Sequence, residues 1–135
     1  MDYMITEAIM NQKLNFDVSE TEREILEYLW ENPQGVLSRE MLEYFNEVKK
    51  KEWKKQTLNT FLLRLAEKGL IRGKAQGVKK IYQAVYDIKE YEAKKAESIL
   101  ENNYGGSVRN FVMALTGGEK IDKAMADDLR KMLEG

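Results

Sequence analysis

The chain has 135 residues and a net charge of −1, and it contains neither cysteine nor histidine. Without these residues it cannot form a disulfide, a Cys/His zinc site, or a Ser-His-Asp or Cys-His catalytic centre. No apolar run reaches the roughly 18 residues that a membrane span needs, and no apolar leader precedes the first helix signal. We therefore expect a cytoplasmic protein without cofactor or membrane insertion, built as one domain or as a small domain with an appendage.

Charge is unevenly distributed along the chain. Between Val36 and Tyr82, twelve basic residues stand against five acidic ones, which leaves this segment at +7 and the rest of the chain at −8. A basic module flanked by acidic segments fits a polyanionic partner on one face. A general need for solubility would not explain this segregation.

An N-terminal extension, residues 1–17, precedes two predicted helices. Ser19 and Glu22 form a capping-box pattern that opens the first helix, and the turn Asn32–Gly35 ends it. Val36-Leu37 can form a very short strand, and Ser38 is predicted to cap the second helix. The residues predicted to be buried recur at helical spacing: Ile25, Leu26, Leu29 and Trp30 in the first helix, and Met41, Leu42, Phe45 and Val48 in the second.

A third helix follows a charged connection over residues 46–52. Trp53 precedes this helix and is predicted to be a scaffold residue. In Lys55–Lys68 one apolar stripe is formed by Leu58, Phe61, Leu62 and Leu65. Gly69 supplies the left-handed residue that ends a helix.

Two short strands are predicted after the third helix. Leu70–Arg72 and Val78–Tyr82 can pair as a hairpin around a loop at Gly73–Gly77. The order helix, helix, helix, hairpin is that of a winged helix-turn-helix, in which the third helix enters the DNA major groove. We therefore predict a mainly α fold with a small β wing, and a DNA-binding domain over residues 18–86.

The outward face of the third helix and the hairpin are candidates for DNA contact. The helix presents amides and hydroxyls that can bond base edges and phosphates, and the hairpin carries cations with no acid between them. The candidates are Gln56, Thr57, Asn59, Thr60 and Arg64 in the helix, and Arg72, Lys74, Lys79 and Lys80 in the hairpin. An ordinary amphipathic helix with a solvated hairpin explains these residues equally well.

Residues 87–135 are predicted to form three more helices, opened by Asp87, Ser107 and Asp122. Their sparse apolar stripes cannot enclose much of a core alone, and helices are stabilised mostly by burying such a face. We expect a two-fold partner to cover them, with folding back onto the first domain as the alternative. The predicted dimerisation residues are Ile88, Tyr91, Ile99, Leu100, Tyr104, Val108, Phe111, Val112, Leu115, Met125, Leu129, Met132 and Leu133.

From about Val18 to Glu134 the sequence resembles the penicillinase-repressor family, to which copper-operon repressors also belong. The matching features are the Ser-x-x-Glu opening, Trp30, Trp53-x-x-x-Thr57-x-x-Thr60-x-Leu62-x-Arg64-Leu65, Lys68-Gly69-Leu70-Ile71, Tyr82, Gly106-Ser107-Val108, and the run Ile121-Asp122 to Glu134. The resemblance implies a homodimeric winged-helix repressor on a palindromic operator, dimerised by its C-terminal helices. Matching positions imply that the third helix reads DNA through the polar residues named above and that Arg72, Lys74 and Lys79 act from the wing.

The chain departs from the family pattern at several places. Lys54-Lys55 stands where the family often has Ser-Pro, which removes the usual cap and adds two phosphate-seeking cations as further DNA contacts. Asn59 stands where the family often has Lys, so the base preference can differ. The C-terminal cysteine cluster of the copper repressors is missing, which rules out copper sensing by that route.

Beta-lactam repressors of this family are inactivated by proteolysis inside the penultimate helix, under the control of a membrane sensor protease. Counting from Gly106, the corresponding bond lies near Ala114-Leu115. That pair lacks the Asn-Phe of the known sites, although Asn110-Phe111 lies four residues earlier. A sensor protease is therefore a candidate partner.

Two other classes of function compete with a DNA-binding repressor. Winged helices also mediate protein contacts, so an interaction adaptor without specific DNA binding is the alternative. An enzyme is less consistent with the sequence, because the carboxylates are spread over helix faces with no adjacent nucleophile or phosphate loop. Asp127-Asp128 is best explained as a solvated face rather than an acid/base dyad.

Overall fold

The structure is a computed structural model that describes residues 14–118 and 122–134, with the side chains of residues 132–134 outside the description. The described helices are α1 (Glu20–Glu31), α2 (Ser38–Glu47), α3 (Lys55–Glu67), α4 (Ile88–Tyr104), α5 (Val108–Leu115) and α6 (Lys123–Glu134), and the strands are β1 (Val36–Leu37), β2 (Ile71–Gln76) and β3 (Lys79–Ala84). The chain is thus mainly helical with a small three-stranded sheet, which confirms the predicted fold class. No helix among the described residues is long and apolar enough to cross a membrane.

The antiparallel sheet has the strand order β1-β3-β2, and its hairpin differs from the prediction. Gln76 pairs with Lys79, so the turn contains only Gly77 and Val78. Gly77 has φ +65°, which suits the first position of a two-residue hairpin turn. The predicted loop at Gly73–Gly77 was wrong because Gly73 is not a breaker here: it lies in β2, where an added Cβ would come within 2.7 Å of Lys80 Cε.

One hydrophobic core joins α1, α2, α3 and the base of the wing. The predicted helix stripes are confirmed apart from Val48, although Trp30, Leu42 and Phe61 are only half-buried. The buried apolar residues are Ile25, Leu26, Leu29, Val36, Met41, Phe45, Leu58, Leu62, Leu65, Leu70, Ile71 and Tyr91. The sequence pattern therefore identified most of the core that carries the third helix.

Two details of α2 differ from the prediction. Val48 is 62% exposed, because it follows the last helical residue and turns away from the buried stripe. Ser38 is already the first helical residue, and the cap position belongs to Leu37, whose extended backbone continues from β1. The Leu37 N–H donates to the Glu40 carboxylate at 3.2 Å, which replaces the predicted serine cap.

The chain folds as two compact units, and the boundary between them lies after Tyr91, within α4. The predicted helix caps at Asp87, Ser107 and Asp122 are confirmed, with side-chain bonds to backbone N–H groups of 2.8, 3.1 and 2.8 Å. Tyr91 is only 1% exposed, and its ring centroid lies 5.4 Å from that of Phe16 and 5.0 Å from that of Trp30. The prediction of Tyr91 as a dimerisation residue was therefore wrong, since its side chain is used in the core of the first unit.

Candidate nucleic-acid interface

The start of α3 is fixed by Trp53. Its ring stacks on Phe45 with centroids 4.9 Å apart and lies 5.3 Å from that of Phe61. The Asn46 side chain accepts from the Trp53 N–H at 2.7 Å and donates to the Trp53 carbonyl at 2.9 Å. Trp53 is thus a scaffold residue, and the Asn46 amide fixes the backbone that leads into α3.

The turn between α2 and α3 adopts an unfavourable backbone. Lys50 and Glu52 have φ +57° and +59°, values that cost a residue with a side chain of order 1–3 kcal/mol. The Lys51 N–H donates to the Phe45 carbonyl at 3.0 Å, and the Lys51 ammonium binds Glu24, also at 3.0 Å. These bonds hold the turn in one conformation and thereby set where α3 begins.

The end of α3 is fixed by an ion pair. The ammonium of Lys68 binds the two Glu22 carboxylate oxygens at 2.9 and 3.0 Å and the Asp17 carbonyl at 2.6 Å. Burial raises the pKa of Glu22, but hydrogen bonds from the Ser19 N–H, from Lys68 and from the Ser19 side chain outweigh it and hold the pKa below its ordinary value. The capping carboxylate of α1 therefore also anchors α3 at its C-terminus.

The outer face of α3 is exposed and polar apart from Leu63, which is 60% exposed. The candidate contacts Gln56, Thr57, Asn59, Thr60 and Arg64 are all exposed, while the leucine stripe faces the core. The Thr60 hydroxyl donates to the Gln56 carbonyl at 3.0 Å, so its proton is used within the helix and its oxygen is left to accept. The helix therefore presents to solvent the set of side chains that the sequence predicts.

The start of α3 is electropositive. Lys54 occupies the cap position without a side-chain cap bond, Lys55 is the first helical residue, and the first turn contains no acid. Because the N-terminus of a helix carries a partial positive charge, two lysines there strengthen the attraction for an anion.

The wing carries its cations on two faces. Strand register pairs Arg72 with Gln83 and Gln76 with Lys79, and alternation places Arg72, Lys74 and Lys79 on one face. Lys80 pairs with Ala75 on the opposite face, where its ammonium lies 5.7 Å from the centre of the Tyr82 ring. Three of the four predicted wing contacts thus form one basic surface, and Lys80 is separate from it.

The second unit exposes apolar side chains. A groove of about 330 Å³ lies between α4 and α5. Its lining residues are Ala96, Glu97, Ile99, Leu100, Val108 and Phe111. Of the predicted dimerisation residues in this unit, Ile99, Val108, Phe111, Leu115 and Met125 are exposed, and Leu100, Tyr104, Val112 and Leu129 are half-buried. Ile88 is also exposed, but it belongs to the first unit. The side chains of Met132 and Leu133 lie outside the described residues.

Three helices, a short first strand and a two-stranded wing, with a polar exposed third helix, define a winged helix-turn-helix protein. The sequence profile of the family described as "Penicillinase repressor" matches residues 18–135. The chain therefore belongs to the penicillinase repressor family, whose members are transcriptional regulators and not enzymes. A penicillinase repressor from Bacillus licheniformis is 24% identical over 117 residues, which cover 87% of this chain and 89% of that protein.

Sequence reasoning missed the two devices that hold α3. Glu22 is recognisable in the sequence only as half of a capping box, and its partner Lys68 lies 46 residues later. The sequence assigns Asn46 to a charged connection, whereas it lies in the last turn of α2, and nothing in the sequence signals its bonds to Trp53. Capping carboxylates such as Glu22 and polar residues near an aromatic, such as Asn46, are common in sequences. Neither pattern therefore predicts a contact with a distant part of the chain.

Proposed function

We propose that this protein is a DNA-binding transcriptional repressor that acts as a homodimer on a palindromic operator. The observation that carries the proposal is the polar outer face of α3, which is fixed at both ends, together with the basic face of the wing. A rigid helix with exposed amides is the kind of element that reads base edges in the major groove. Membership of the family and the similarity to a penicillinase repressor support the same function.

Base reading is assigned to Gln56 and Asn59. Each side-chain amide offers a donor and an acceptor, a combination that can pair in two-pronged fashion with adenine. Phosphate binding is assigned to Lys54, Lys55 and Arg64 on the helix and to Arg72, Lys74 and Lys79 on the wing. Cations at these positions supply affinity without sequence preference, whereas the amides supply discrimination.

Dimerisation is assigned to the second unit. Val108 and Phe111 on α5 are 55% and 38% exposed, and both line the groove against α4. Apolar side chains left open in this way favour burial against a second copy, and two-fold assembly would present two α3 helices to two half-sites.

Proteolytic control is a further part of the proposal. The bond near Ala114-Leu115 lies in the last turn of α5, where the Leu115 side chain is 66% exposed. Helix ends open at low free-energy cost, so a protease could reach this bond after local fraying. Incubation with a candidate sensor protease, followed by mass analysis of the fragments, tests this partner, and cleavage elsewhere would contradict the assignment.

Footprinting of the purified protein on the DNA upstream of its own gene tests the main proposal. We expect protection of an inverted repeat, with affinity that falls steeply with salt because cations displace condensed counterions. Replacing Asn59 with alanine should then lower discrimination at one base pair per half-site by about 1–3 kcal/mol without changing the salt slope. A protein-interaction adaptor would show no duplex affinity, or the same weak affinity for every sequence.

A further inference from the structure

A small cleft separates the first turns of α2 and α3. It has a volume of about 200 Å³ and is lined by Ser38, Arg39, Leu42, Lys55, Leu58 and Asn59. Leu42 and Leu58 supply an apolar floor, while Arg39 from one helix and Lys55 from the other stand exposed at the rim. The cleft therefore combines an apolar surface with two cations that come from different helices.

Helix stability does not explain the cation at Arg39. It occupies the first turn of α2, where the helix dipole disfavours a positive charge, and Lys55 is the first residue of α3. None of the ion pairs among the described residues includes Arg39 or Lys55. Glu40 is the acid of the same turn of α2, and it accepts from the Leu37 N–H. Two helix starts and two cations thus converge on a cleft whose lining residues include no carboxylate.

We propose that this cleft binds one sugar–phosphate unit of the DNA backbone. The deoxyribose would pack on Leu42 and Leu58, and the phosphate would lie between Arg39 and Lys55. A guanidinium can bind a phosphate through two parallel N–H groups, which fixes orientation as well as charge. This inference rests on the proposed function and adds Arg39 to the DNA-binding residues.

Because of the position of Asn59, this backbone contact should affect base discrimination as well as affinity. Asn59 lines the cleft and also belongs to the exposed polar face of α3. A backbone unit held in the cleft therefore fixes the rotation and depth of α3 in the groove, and with them the base that Asn59 reaches. Phosphate contacts of this kind set the register of a protein on the duplex.

The test compares Arg39→Ala with a matched control, Lys49→Ala. Lys49 is also an exposed cation of the first unit, but it lines a different cleft with Glu24, Glu27 and Glu31, whose charges repel DNA. For the full chain on the footprinted duplex, we expect Arg39→Ala to flatten the slope of log affinity against log salt. The slope should change by about one unit for each copy of the first unit that binds DNA. The control should leave this slope unchanged, and the Tm of Arg39→Ala should not fall, since the arginine opposes the helix dipole.

Single methylphosphonates in the duplex then locate the contact. Neutralising the phosphate that Arg39 binds should weaken the wild type several-fold and Arg39→Ala clearly less, because the variant keeps only the Lys55 contact to that phosphate and coupled partners are not additive. Equal losses for both proteins at every phosphate, or an unchanged salt slope, would overturn the cleft assignment. If the wild type itself binds no duplex, the proposed function fails instead, and the cleft proposal fails with it.

Discussion

Removing the ammonium of Lys68 should be among the most damaging single changes to a charged group of the first unit. The side chains of Glu22 and Lys68 are 6% and 20% exposed, so the pair is largely buried. Breaking a buried pair leaves an uncompensated charge and costs about 3–5 kcal/mol. Because Lys68 keeps some solvent contact and Glu22 keeps its bond to the Ser19 N–H, we expect Lys68→Met to cost about 3 kcal/mol, at the low end of that range.

Urea denaturation measures this loss against a matched control. Glu27 pairs with Arg23 at 3.8 Å on the surface, with side-chain exposures of 54% and 31%, so Glu27→Gln should cost less than about 1 kcal/mol. Glu22→Gln combined with Lys68→Met should recover part of the loss, because both charges are then removed. A Lys68→Met variant no less stable than Glu27→Gln would refute the claim that this pair anchors α3.

The same pair predicts a pH dependence. The folded-state pKa of Glu22 lies below its ordinary value of 4.5, since hydrogen bonds from Ser19 and Lys68 outweigh the effect of burial. Its stabilisation is therefore complete above the ordinary pKa and is lost as the pH falls through the lower folded value. Glu22→Gln cannot titrate, so the variant should lose less stability than the wild type as the pH falls below 4.5. Parallel stability curves for the two proteins would contradict this reasoning.

Two further predictions concern the wing and the turn before α3. Replacing Lys74 and Lys79 with alanine should flatten the salt slope by about one unit for each lost phosphate contact. Lys80→Ala, on the other face of the wing, should change the slope little. Equal effects of all three substitutions in binding titrations would contradict the assignment of DNA contact to the Lys74 face. Asn46→Ala removes two bonds to Trp53 and should lower the free energy of unfolding by about 1–3 kcal/mol. Asn46→Asp keeps the acceptor and loses the donor, so its loss of stability in thermal unfolding should be smaller than that of Asn46→Ala. If neither variant is less stable than the wild type, the amide does not hold the turn.

The helices were predictable because their signals are local. Ser19 and Glu22 lie three residues apart, and the α3 stripe repeats at helical spacing, so neither depends on distant parts of the chain. The hairpin turn was predicted wrongly because the sequence does not distinguish a glycine that ends a strand from one that permits close packing within it. Gly73 lies under Lys80, and that contact exists only once the two strands are paired.

The polar face of α3 was predictable for the same reason, since residues off a buried stripe must face outward. What holds that face in place was not predictable. The ion pair of Glu22 with Lys68 and the cleft between Arg39 and Lys55 each join different helices, and periodicity within one helix carries no information about its neighbour. The apolar pattern of α4 likewise could not show that Tyr91 packs into the first unit while Ile99 remains exposed.

The burial of Tyr91 in the first unit determines where the chain should be truncated to obtain a stable DNA-binding unit. A chain ending at Asp87 follows the boundary predicted from the sequence but loses Tyr91, while one ending at Lys95 keeps the side chain between Phe16 and Trp30. Because deleting a buried aromatic costs about 3–5 kcal/mol, the shorter chain should be less stable by about that amount.

Tyr91→Ala in the longer chain should reproduce most of this loss, which separates the role of the side chain from that of the helix turn. Both shortened chains should sediment as monomers if the second unit supplies the dimer contacts. A dimer of the chain ending at Lys95 would place those contacts in the first unit, and equal stability of the two shortened chains would show that Tyr91 adds nothing to the core.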